Sequence, residues 1–153
     1  MKKLLTICML LPFLFSCTAD KVTFSKTILI NTTDDMVFVR AMINGDIDTY
    51  TSFELAPTDS LITPISRNVG LVRGDCFDMA VAIMDSVVVS FGDRYIIAHQ
   101  SFRYAGDTSR VISYSSPRSL YNINSYYRSV TENSKNSRSV IFYYTFTEDD
   151  IMP

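Results

Sequence analysis

From Val22 onward the chain alternates between short apolar runs and clusters of turn residues. The dominant repeat along it is two residues, the period of a pleated strand. Residues 22–31 read as extended, with Ile28-Leu29-Ile30 as the apolar end, and Thr32-Thr33-Asp34-Asp35 as a turn. Residues 36–43 are apolar on both faces except at Arg40, as a central strand would be. Asn44-Gly45 predicts a tight hairpin turn, because both residues tolerate positive φ. The return strand, 48–55, sets Phe53 and Leu55 on one face and Tyr50, Ser52 and Glu54 on the other. After the loop 56–59, residues 60–66 predict a short strand, and Pro64 puts it at a sheet edge.

Residues 67–75 read as a polar loop. The apolar run 76–84 predicts a short helix, with Asp75 as its cap and Asp78 in its first turn. Residues 86–91 and 94–99 predict two strands joined at Gly92-Asp93, 110–115 a weaker strand, and 116–124 a loop. Residues 125–131 and 138–147 predict a final hairpin around Asn133-Ser134-Lys135-Asn136. Val140, Phe142, Tyr144 and Phe146 share one face of its second arm, the clearest period-two stripe in the chain. Glu148-Asp149-Asp150 after Thr147 reads as a capped helical turn. Together these elements predict a mainly β fold. It is expected to be an antiparallel two-layer β-sandwich, Ig-like or an open barrel, with one or two short helices.

The first sixteen residues stand outside this pattern. Met1-Lys2-Lys3 is a positive start, and Leu4 to Phe15 is an apolar stretch broken by Thr6 and Pro12. It falls short of the roughly 20 apolar residues that span a bilayer and has the layout of a secretory signal. Its end, Leu14-Phe15-Ser16-Cys17, resembles a bacterial lipobox, in which the chain is cut before the cysteine and the thiol carries a diacylglycerol. A cut after Ala19 is the rival processing site. The expected organisation is a signal over 1–16, a lipidated Cys17 with a short tether over 17–26, and one domain over 27–153. Nine tether residues reach at most about 30 Å, so the domain is expected close to the membrane. A diacylglycerol plus an N-acyl chain would anchor it durably, whereas one chain binds only marginally.

Charge and cysteine content narrow the partners. The chain carries 14 basic and 16 acidic residues, a net charge of -2. Removing 1–16 takes away Lys2 and Lys3 and no acid, so the remaining body is more acidic still. It lacks the basic excess that nucleic-acid binding needs, and the lipid must supply the anchoring. Cys8 leaves with the signal and Cys17 is the lipid acceptor, which leaves Cys76 without an internal disulfide partner.

Four features together resemble a group of small envelope lipoproteins of Bacteroidetes bacteria. They are the lipobox at Cys17, D-S-V-V-V-S-F-G-D over 85–93, N-I-N-S-Y over 122–126 and Y-T-F-T-E-D-D over 144–150. The resemblance is clearest over 85–150. It implies an envelope location, with the outer membrane expected and the periplasmic or surface side open. It assigns no activity. Bacteria of that group O-glycosylate exported proteins at Asp-Ser/Thr followed by an apolar residue, a pattern met at Ser60 and Ser86.

Candidate chemistry is sparse. A Cys76 nucleophile with His99 as base has no supporting motif. The acidic pairs Asp34-Asp35, Asp46 with Asp48, Asp75 with Asp78 and Asp149-Asp150 lack calcium-loop spacing and suit turns and caps. No metal or other cofactor is expected. Arg40, Arg103, Arg110, Arg118 and Arg128 could meet a carboxylated ligand. Tyr126, Tyr127 and Tyr143 are the candidate contact surface, since exposed aromatics anchor partners or stack on sugars. The expected function is a non-enzymatic, membrane-anchored module for protein interaction or structure. A glycan- or small-ligand-binding module accessory to nutrient uptake is the alternative.

Overall fold

The computed structural model describes residues 21–69, 86–93, 95–100, 111–113 and 115–151. The expected helix over 76–84, with Asp75, Cys76 and Asp78, lies outside them, as do Cys17, Arg103 and Arg110.

The stripe on the last strand sets the inside of the molecule. Val140, Phe142, Tyr144 and Phe146 are all buried on β10 (Ser137–Phe146). Within this row the Tyr144 and Phe146 rings meet edge-on, with centroids 5.0 Å apart. The first strand, β1 (Val22–Asn31), runs parallel to β10 in unbroken register from Val22 opposite Ser137 to Asn31 opposite Phe146. On the far side of β10, β9 (Tyr127–Ser134) is antiparallel; on the far side of β1, β4 (Ser60–Ile62) and β5 (Ser66–Val69) share the edge. The second sheet has the order β3-β2-β6-β7-β8. Its strands are β2 (Val37–Ile43), β3 (Asp46–Leu55), β6 (Ser86–Phe91), β7 (Tyr95–Gln100) and β8 (Val111–Ile112). Val37, Val39, Val89 and Phe91 from this sheet join Leu29, Phe142 and Phe146 from the first in one core, and Phe91 meets Phe146 edge-on at 6.2 Å.

The architecture is therefore a mainly β, two-layer sandwich, and the sheets do not close into a barrel. Two pairings depart from the antiparallel expectation: β1 with β10 and β7 with β8 are parallel. No local turn joins these partners, so adjacency in sequence gives no hint of them. The tether is also shorter than expected, because residues 22–26 are already strand. The strand expected over 60–66 is split at Thr63–Ile65, and β5 runs into residues expected as loop. Pairing to β1 supplies its backbone partners whatever its side chains are. Asn44 and Gly45 turn at φ of 54° and 86°, as that dipeptide predicted. Among the described residues the helical pieces are single 3-10 turns at Ile123–Ser125 and Glu148–Asp150, the second closed by a Thr147–Asp150 capping box.

On β1 the alternation runs against the usual rule. Thr23, Ser25, Thr27, Leu29 and Asn31 are buried, while Val22, Phe24, Lys26, Ile28 and Ile30 face outward and are half-buried. Of the inward polar groups, Thr23 Oγ1 accepts from Arg138 Nε at 3.0 Å.

Asn31 joins the two layers. Its Nδ2 donates to Leu55 O at 3.1 Å and Ala56 O at 3.0 Å, at the end of β3, and to Asp35 O at 2.8 Å. Its Oδ1 accepts from Thr33 N and Thr33 Oγ1. Loss of this side chain strands buried carbonyls, each worth about 1–3 kcal/mol. Asn31→Ala is expected to destabilise the domain by about 3 kcal/mol in urea unfolding. Asn31→Asp, which keeps the acceptor and loses the donor, should be comparably damaging.

Candidate functional site

His99 sits on β7 and is fully buried. Its Nδ1 accepts the Leu120 N–H at 3.1 Å, so the neutral ring carries its proton on Nε2. Burial, and then the nearby Arg118 charge, lower its pKa from 6.5 to about 3. The Nδ1 lone pair that a general base would use is thus engaged in holding the 115–122 loop.

Arg118 completes that attachment. Its guanidinium grips the Asp150 carboxylate through Nε and Nη2, and Nη2 also donates to Thr145 O at 3.0 Å. The same group lies 5.0 Å from the Tyr144 ring centre, and Tyr144 Oη donates back to Arg118 O at 2.9 Å. Burial pushes the Tyr144 hydroxyl pKa upward. Arg118 is therefore a structural clamp and is not free for a carboxylated ligand. Arg40 and Arg128 are exposed. Among the described residues no group of three or more His, Cys, Asp or Glu converges on one point.

The three tyrosines of the expected contact surface separate. Tyr126 is buried and its Oη donates to Leu120 O at 2.7 Å, so it is a core residue and offers no contact surface. Its own stripe position in the sequence is indistinguishable from that of an exposed tyrosine; only the packing against Phe142 and Tyr144 decides it. Tyr127 is 74% exposed and its ring lies 5.9 Å from that of Tyr143, on the outward face of the first sheet. Ser60 is exposed at the start of β4. Ser86 is 3% exposed within β6, between β2 and β7, and a folded domain gives a glycan no room there.

A different tyrosine is presented outright. Between Phe53, opposite Val39, and Asp48, opposite Ala41, β3 carries a bulge with more residues than β2 opposes. Four side-chain bonds shape it. Asp48 accepts from Tyr50 N at 3.3 Å and from Thr51 Oγ1. Ser52 Oγ donates to Asp48 O at 2.6 Å and accepts from Ala41 N at 3.2 Å, replacing a ladder partner. Short polar side chains that bond their own backbone make this possible. The result is Tyr50 at 96% exposure on a braced segment of an edge strand. Beside it is a shallow cleft of about 200 Å³ lined by Phe38, Arg40, Ile47, Phe53 and Glu54. Arg40 stacks 5.8 Å from the Phe38 ring centre. A second cleft of about 280 Å³ continues from Phe38 and Arg40 to Ser90, Gly92 and Asp93. The signal for this bulge was present as Asp48-Thr49-Tyr50-Thr51-Ser52, a run of turn-capable residues inside an expected strand. The sequence matches no protein-family model and no curated protein.

Two expectations follow from this geometry. Because the folded pKa of His99 lies below the unfolded value, the unfolded chain binds the extra proton first. The stability is complete above pH 6.5 and declines as pH falls toward 3. Between pH 6.5 and 5, before most carboxylates titrate, about 1.5 kcal/mol should be lost to this one group. His99→Gln, measured by urea unfolding at both pH values, should flatten that decline. Separately, Asp48→Ala removes the bulge's internal acceptor and should cost about 1 kcal/mol while leaving the core intact. Hydrogen exchange confined to 48–53 would report it.

Proposed function

We propose that the protein is a lipid-anchored envelope lipoprotein whose domain is a non-enzymatic protein-interaction module, with the β3 edge and Tyr50 as its contact site. The observation that carries this reading is the near-complete exposure of Tyr50 on a bulge braced by its own side chains. A rigid amphipathic anchor loses little entropy on binding, and tyrosine is over-represented among residues that dominate interfaces. The β3 strand pairs with β2 on one side, and its other side is the end of the sheet among the described residues. That edge can accept a partner strand. The lipobox-like Leu14-Phe15-Ser16-Cys17 and the resemblance to small Bacteroidetes envelope lipoproteins support the anchor and an outer-membrane location. The clefts beside Phe38, with Arg40, Glu54 and Asp93 around them, favour a glycan as the second reading, since sugars stack on aromatic faces between polar groups.

Crosslinking in intact cells with mass spectrometry of the adducts tests the first reading. Tyr50→Ala is expected to remove the principal protein adduct, consistent with an anchor worth about 2 kcal/mol or more, with unchanged unfolding stability. An adduct pattern indifferent to Tyr50, together with saturable sugar binding on a glycan array, would replace it with the second.

A further inference from the structure

The first sheet turns away from the core a face on which large apolar side chains alternate with Ser129, Thr131, Ser137, Ser139 and Thr145. Phe24 and Ile28 of β1, Ile141 and Tyr143 of β10, Tyr127 of β9 and Ile62 of β4 lie on its outward register positions. Ile62 is 57% exposed and Tyr127 is the most exposed of the group. This is the face that β1 makes apolar by burying Thr23, Ser25 and Thr27 in its place. An arrangement of this kind is unfavourable in water and favourable against a second apolar phase.

Charge distinguishes the phase. The chain holds 16 acidic residues, yet none occupies an outward position in the paired registers of β1, β4, β5, β9 and β10. The charged residues found at those positions are Lys26 and Arg67, both cationic. In a protein of net negative charge this is one acid-free, weakly basic, aromatic-bearing face. Apolar side chains, tyrosine hydroxyls and cations together match the acyl boundary and phosphate layer of a bilayer.

The tether points the same way. Five Cα–Cα steps separate Cys17 from Val22 and span at most about 18 Å. Lys21 is held at the start of β1 by an ion pair with Glu132. A lipid on Cys17 would thus enter the membrane within reach of the strand that carries the apolar face. We propose that the outward face of the β4-β1-β10-β9 sheet lies on the lipid surface, so that the domain rests flat and directs the β3 edge with Tyr50 away from the membrane. This inference rests on the lipid-anchor reading above.

The chain contains no tryptophan, so a single introduced tryptophan reports its own surroundings. Tyr127→Trp, Ile62→Trp and Tyr50→Trp are each made in the full chain and reconstituted in phosphatidylethanolamine–phosphatidylglycerol vesicles with brominated acyl chains. The expected result is a blue shift and bromolipid quenching at positions 127 and 62, and neither at 50. Intact-mass analysis of the same samples reads the acyl groups on Cys17 independently. An acylated chain unquenched at 127 and 62 overturns the membrane-facing assignment and leaves the anchor standing. Quenching at 127 and 62 in a chain without acyl groups supports the face and removes the anchor. A blue shift at 127 that occurs equally without vesicles means that a second protein surface covers the face, which also overturns the assignment.

Discussion

The buried aromatic row of β10 is the constraint on which the rest of this molecule depends. Phe142, Tyr144 and Phe146 have one face to hide, and the parallel register with β1 then dictates which side chains of β1 go in with them. A slip of one residue would exchange the two faces of β1 and bring Phe24, Ile28 and Ile30 inside. The slip would also carry Asn31 out of reach of Leu55 and Ala56 and leave their carbonyls without its donor. A single amide thus holds the register at the expense of apolar surface, and the cost appears on the outside of the sheet as half-buried Phe24, Ile28 and Ile30.

That exchange gives the two sheets different outer surfaces. One sheet turns isoleucine and tyrosine side chains outward; the other carries the clefts, the braced Tyr50 and, among the described residues, a sheet edge at β3. Among the described residues, the buried titratable groups hold these parts together. His99 and Arg118 fasten the 115–122 loop, and Asp150 is consumed by Arg118 and by the Thr147 cap. Among the described residues, what these bonds leave exposed is the β3 edge, Tyr50 and the clefts beside Phe38.

Most strands could be located from the sequence because turn residues and period-two alternation are local signals. The hairpin at Asn44-Gly45, the strand ending at Phe91 and the capped turn after Thr147 each rest on residues within a few positions of one another. The candidate site was less legible. Tyr50 was seen only as the solvent side of an ordinary strand, because a bulge is a mismatch between two strands and belongs to neither sequence alone. Tyr126 and Tyr127 are neighbours of the same type, and one is core while the other is surface.

The sequence by itself determined the β class and the dominant inward stripe, since both follow from residue type and short spacing. Tertiary structure alone decided that the first and last strands lie side by side and parallel, that β1 buries its polar face, and that three tyrosines read as one surface divide between core and exterior. Each of those outcomes depends on contacts between residues far apart in the chain. Their free energies are settled by which neighbour arrives, and no local pattern contains that information.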